Sequence, residues 1–199
     1  MKFRELNTKI KNGSIVFFGS KFFSSMPASE LAKMYGLDEE IYNRSIENLN
    51  MDIVSSYLNT CVLELMPAKV FLNLGDSDIE NGSFNLDSFI SKYEWLLYTI
   101  HTKTKAKMYI IPVMSSSPIA ASVNTELEKL AKKYNCSFID ITPALSTEKP
   151  LLKSFEILKP YLRTHPINFA DAMDAGNNYY FSNGTGMDSQ SLAGTPVFS

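Results

Sequence analysis

Ser20 and Lys21 stand side by side after a short apolar run, a place where their types suggest covalent chemistry. A serine hydroxyl attacks an acyl carbon only when a neighbouring base takes its proton. Bases are scarce here, because the chain has two histidines, His101 and His165. Two aspartates, Asp76 and Asp78, follow a second apolar run and offer carboxylates at another turn. Asn43 and Arg44 follow a third such run, and Ser115, Ser116 and Ser117 a fourth. The only cysteines, Cys61 and Cys136, lie far apart and match no zinc-ligand spacing. A reduced pair of small core residues is expected of them, with no metal and no organic cofactor.

These groups need a scaffold to bring them together. The chain has 199 residues, 45% of them apolar and 20% charged, which suits one soluble domain with a sizeable core. Its 19 basic and 21 acidic residues leave a formal charge of −2. No basic excess exists to hold a nucleic-acid backbone. The opening MKFRELNTKIKNGS is polar and lacks the apolar stretch of a secretory signal. No run approaches the roughly 20 apolar residues of a membrane span. A cytoplasmic location is expected.

Four apolar runs, at 14–19, 69–75, 107–113 and 137–141, are continuous rather than alternating, as strands buried on both faces of a parallel sheet are. A weaker fifth candidate covers 40–43. Between them, helical spacing predicts helices over 27–35, 50–66, 85–102 and 121–134, with a further one over 149–162 that contains Pro150 and Pro160. The alternation reads as a single three-layer α/β domain, a flavodoxin-like parallel sheet flanked by helices. Functional groups in such sheets sit on loops at the carboxyl ends of strands. Those loops begin at Gly19, Asn43, Gly75 and Val113. The domain is expected to span 1–163. Residues 164–199 form a polar Gly/Ser/Asn-rich C-terminal extension without lysine or arginine, expected to be turn-rich or disordered, or else an ordered loop across the domain that buries Tyr179, Tyr180, Phe181 and Phe198.

Three loop sequences carry a resemblance. IVFFGSKFFSSMPASEL resembles the opening block of the SGNH (GDSL) hydrolase family, in its platelet-activating-factor-acetylhydrolase-like branch, with Gly19, Pro27, Glu30 and Leu31 at matching offsets. IYNRSIEN is similar to that family's Asn-Arg-Gly-x-x-Gly turn through Asn43 and Arg44. PAKVFLNLGDSDIENG is similar to its Gly-x-Asn-Asp block through Pro67, Gly75 and Asp78, and SFIDITPAL resembles the strand leading to its last block. The resemblance covers about residues 14–145. It implies an SGNH-like fold and an ancestral hydrolysis of small acyl esters.

It also implies a catalytic set that this chain does not reproduce. The family places its serine nucleophile after Gly-Asp, and that position holds Lys21, with Ser20 where the aspartate belongs. The glycines of the second block are Ser45 and Asn48, and the oxyanion asparagine of the third is Ser77. The family's histidine follows an aspartate by three residues. His165 is the candidate, but Leu162 stands three before it, and aligning EILKPYL with the family's final helix leaves no histidine block.

Four readings follow. Ser20 acts as nucleophile with His165 as base; Ser20 and Lys21 form a serine–lysine pair; Lys21 is a nucleophilic amine; or the site is degraded. Adjacent side chains in a turn seldom converge, and the carboxylates of Asp76 and Asp78 favour a charged lysine. The degraded site is therefore expected, with Gly19, Lys21, Ser45, Asn48, Gly75, Asp76, Ser77 and Asp78 as its vestiges. In it, Lys21 pairs with Asp76 or Asp78 within about 4 Å. The expected function is that of a hydrolase-like protein with a binding or assembly role. The alternatives are an active esterase using Ser20 and His165, and a structural subunit whose tail contacts a partner. Expected partners are a small acyl-ester or acetylated substrate if active, and a protein or second copy, with neither nucleic acid nor membrane.

Overall fold

In the computed structural model, which describes residues 2–80 and 82–163, five strands carry the loops of interest. They are β1 (Ile15–Gly19), β2 (Ile41–Asn43), β3 (Lys69–Asn73), β4 (Lys107–Ile110) and β5 (Ser137–Phe138). The helices are α1 (Lys2–Leu6), α2 (Lys21–Ser24), α3 (Ala28–Met34), α4 (Val54–Cys61), α5 (Asp76–Ile79), α6 (Leu86–Lys103), α7 (Ile119–Lys133) and α8 (Pro150–Leu162). His165 and the rest of the 164–199 extension lie outside the described residues.

All five strands run parallel, in the order β2-β1-β3-β4-β5. The three-layer α/β architecture expected from the sequence is the one observed. Strand period two divides the apolar runs between two faces. Val16, Phe18, Val70, Leu72, Met108 and Ile110 pack with buried residues of α4, α6 and α7. Ile15, Phe17, Phe71 and Tyr109 turn the other way, against Phe23 of α2, Ala28 and Ala32 of α3, and Phe155, Leu158 and Leu162 of α8. On that second face the Phe23, Phe17, Phe71 and Tyr109 rings form a chain, with centroids 4.7, 5.1 and 4.4 Å apart in turn. With both faces covered, hydrophobic burial rewards continuous apolar runs, which is why the strands are visible in the sequence.

Several boundaries differ from expectation. The helix expected over 50–66 begins only at Val54, because Asn50 Oδ1 accepts hydrogen bonds from the backbone N–H groups of Asp52 (3.1 Å) and Ile53 (3.3 Å) and holds a local turn. It gives way at Leu63–Leu65 to a 3₁₀ turn, and Met66 is left-handed with φ 43° before Pro67. α8 starts on Pro150, where the missing N–H costs nothing, and carries Pro160 in its last turn. Two four-residue helices, α2 and α5, leave β1 and β3 almost at once and were not expected. At the amino edge of the sheet, the Lys69 ammonium donates to the carbonyls of Tyr161 (2.6 Å) and Arg163. That bond ties the end of α8 to the start of β3.

Candidate functional site

Gly19 ends β1 against the backbone of β3, where a Cβ would lie 2.4 Å from the Asn73 carbonyl oxygen. Only glycine permits that approach. The next N–H, of Ser20, donates to the same carbonyl at 2.9 Å, and the Ser20 side chain turns into the core. It is 0% exposed, and its hydroxyl has no hydrogen-bond partner. Lys21 then opens α2 and is exposed. Asn73 itself is buried, with Nδ2 donating to the Pro112 carbonyl at 2.9 Å and Oδ1 unpartnered.

The second loop is fixed by Asn43. Its Nδ2 donates to the carbonyls of Phe23 (2.6 Å) and Met26 (3.0 Å), and its Oδ1 accepts from the Ser45 N–H at 3.1 Å. The Ser45 N–H, the donor at the family's glycine position, is thus already committed. Asn48 is exposed on the following turn. Arg44 holds neither a carboxylate nor a backbone carbonyl among the described residues: its Nη2 donates to Asn7 Oδ1 (3.3 Å) and its guanidinium lies over the rings of Phe3 (5.1 Å) and Tyr42 (5.6 Å). Aromatic faces stabilise the buried cation in place of an anion.

The third loop turns on Gly75, at φ 126°, where a Cβ would meet Val113 Cγ2 at 2.5 Å and Phe89 Cζ at 3.1 Å. The turn launches α5, whose two aspartates reach in opposite directions. Asp76 Oδ1 accepts the Met114 N–H at 2.8 Å, and Asp78 Oδ1 accepts the Met51 N–H at 2.8 Å. Burial raises the Asp78 pKa to about 6, opposed by the Met51 N–H and reinforced by Asp52. Burial likewise raises Asp76, with the Met114 N–H working against the shift and Glu80 adding to it. Ser77, which the resemblance aligns with the family's oxyanion asparagine, makes a 3.4 Å contact from Oγ to the Glu47 carbonyl.

A cavity of about 550 Å³ opens at this carboxyl edge. Phe22, Met114, Leu145, Pro150 and Leu151 give it an apolar wall, and Lys21, Asp76, Glu80, Ser115 and Ser116 a polar one. Sequence reasoning placed Lys21, Asp76 and the serines at strand ends. It missed Glu80, although its spacing of four from Asp76 sets both on one side of α5. Leu145 and Leu151 had no local signal, since their place in the wall depends on how the segment after β5 folds back.

The expected ion pair is corrected. Lys21 forms no salt bridge with Asp76 or Asp78, although it shares the cavity with Asp76. One oxygen of each aspartate is taken by a backbone N–H, so solvation of an exposed ammonium prevails over pairing. Asp78 borders a separate cavity of about 90 Å³ beside Lys92, which pairs with Asp52 at 2.5 Å. Among the described residues, no group of three or more His, Cys, Asp or Glu side chains is arranged to hold a metal. Nor is any helix of the described residues long and apolar enough to cross a membrane. His101 is exposed in the last turn of α6, which leads to the amino end of β4, away from this cavity.

The sheet order and the carboxyl-edge loops define a protein of the SGNH (GDSL) hydrolase fold. A Streptococcus pneumoniae protein described as a candidate platelet activating factor superposes with a TM-score of 0.71 at 17% identity, over 81% of this chain and 90% of the other. A GDSL-like lipase from Bacteroides thetaiotaomicron gives 0.69 at 16% identity, covering 81% and 95%. The lipase/acylhydrolase from Enterococcus faecalis gives 0.63 at 14% identity, covering 78% and 100%. No protein-family model and no curated protein sequence matches the chain.

Proposed function

We propose that this protein uses an SGNH hydrolase scaffold to bind a small ligand at the carboxyl edge without hydrolysing it. One observation carries the reading: the position of the family's nucleophile is filled by a lysine, while the neighbouring Ser20 hydroxyl is sealed in the core. Shifting a nucleophile by one residue is costly, since about 1 Å of misplacement already costs on the order of a hundredfold in rate. The oxyanion positions support the same reading. The Ser45 N–H is held by Asn43, and losing one such donor typically costs about 10²–10³ in rate. With EILKPYL aligned to the family's final helix the histidine block is absent, since residues 139–149 contain Asp140 but no histidine. Asp140 Oδ1 is engaged by Thr142 through its N–H (2.9 Å) and hydroxyl (2.6 Å). We further propose that 1–163 form the SGNH-like domain and 164–199 an extension of it, and we assign His165 as a base only to the alternative of an active esterase. Both cysteines are free thiols, which suits a reducing, cytoplasmic compartment.

The expected result is that p-nitrophenyl acetate hydrolysis with purified protein matches the buffer rate, and that Ser20→Ala leaves it unchanged. Catalysis above buffer that Ser20→Ala abolishes would restore the active-esterase reading.

A further inference from the structure

We propose that the carboxyl-edge cavity takes an amphiphilic monocarboxylate, with its carboxylate on the Lys21 ammonium and its apolar tail along Phe22, Met114, Leu145 and Leu151. The inference rests on the non-hydrolytic reading above and names the ligand class of that same site.

Size and lining come first. A volume of about 550 Å³ falls within the roughly 300–1,000 Å³ of small-molecule pockets, which are largely apolar with a few placed polar groups. This cavity has that character, and its apolar residues come from three separate stretches of chain, at 22, at 114 and at 145–151.

Charge then selects the head group. Three charged side chains border the space: Lys21, Asp76 and Glu80. Asp76 Oδ1 accepts the Met114 N–H, while its Oδ2 is buried and without a hydrogen-bond partner among the described residues, so a head group on Lys21 has to sit clear of it. Glu80 is exposed and accepts only. Lys21 is the charged donor at the cavity, exposed and in no ion pair among the described residues. Ser115 and Ser116 add hydroxyls on the loop after β4, and Ser115 Oγ accepts the Ser117 N–H at 3.1 Å, which leaves its own O–H to donate. A neutral ester carbonyl offers Lys21 an ordinary acceptor. A carboxylate adds the Coulomb attraction of opposite charges to that bond, which a neutral ester lacks. Replacing a nucleophilic hydroxyl by an ammonium therefore converts a site for an acyl group about to be attacked into one for the acid already released.

Octanoate is the probe, titrated calorimetrically into the full chain, with methyl octanoate as the neutral control and product analysis of the ester in parallel. Saturable octanoate binding is expected, weakened about tenfold or more in Lys21→Met and kept within about threefold in Lys21→Arg. Leu151→Asp weakens it through the tail. Thermal melts verify that each variant is folded, which the exposure of Lys21 favours. Absence of octanoate binding, equal binding of the methyl ester, or binding indifferent to Lys21→Met overturns the inference. Release of octanoate from the ester overturns the non-hydrolytic reading instead, so the two failures are separable.

Discussion

Gly75→Ala lowers the unfolding free energy by roughly 2–6 kcal/mol, the largest effect expected of any single substitution considered for this protein. Two costs combine. At φ 126° an alanine occupies backbone space that side chains rarely adopt, a strain of about 1–3 kcal/mol. Its Cβ also enters the packed contact between Val113 Cγ2 (2.5 Å) and Phe89 Cζ (3.1 Å), and overpacking of a core costs about 1–3 kcal/mol more. Neither neighbour is a loose end, because Phe89 is 3% exposed and Val113 1%. Urea unfolding measures the loss directly, and the melting temperature falls by about 2–4 °C for each kcal/mol in a chain of this size. A loss below about 0.5 kcal/mol, the range of ordinary surface changes, would show that the turn between β3 and α5 relaxes freely and is not held by its packing.

Asp78→Asn has the opposite sign at neutral pH. The Asp78 pKa lies at about 6 in the folded protein, above its ordinary value of 3.8, because burial disfavours the anion. The folded state then binds the proton more readily than the unfolded chain. Stability contributed by this group is full at acid pH and declines as pH rises from about 4 through 6. Above pH 7 the deficit is on the order of 1–3 kcal/mol, allowing for residual solvent contact. An asparagine retains an oxygen for the Met51 N–H and removes the charge. The variant should therefore be the more stable protein at pH 8, with the difference shrinking toward pH 4. Chemical denaturation across that range tests it, and a difference constant with pH would mean that ionisation of Asp78 plays no part. Asp76, raised by the same cause, adds a slope of the same sign in both proteins.

These sites show what was legible beforehand. Strands buried on both faces must be apolar throughout, so the runs at 14–19, 69–75 and 107–113 announced β1, β3 and β4, and the loops after them. Gly19 and Gly75, read from the sequence as the starts of loops, also stand at close approaches that the sequence did not announce. The partners of polar groups were not legible. Lys21 and Asp76 have opposite charges on neighbouring loops, yet backbone N–H groups compete for carboxylates and water competes for lysines. Which competitor wins depends on distances of a few tenths of an ångström. Arg44 shows the same limit, since its aromatic partner Phe3 comes from an N-terminal helix that carries no motif. The wall at Leu145 and Leu151 was invisible because it is made by the path of the chain after β5.

The two aspartates of α5 have a mechanical consequence. One short turn of helix grips Met51 on one side and Met114 on the other, so three successive carboxyl-edge loops are braced into a single stiff rim. Asn43 extends the brace to the first loop through Phe23 and Met26. A rim of this kind yields little when something enters the space beside it. The compliance has to come from the opposite wall, where residues 145–149 are exposed and Leu145 caps the cavity from a 3₁₀ turn. For the binding role proposed above, admission to the cavity is then a property of that wall rather than of the rim.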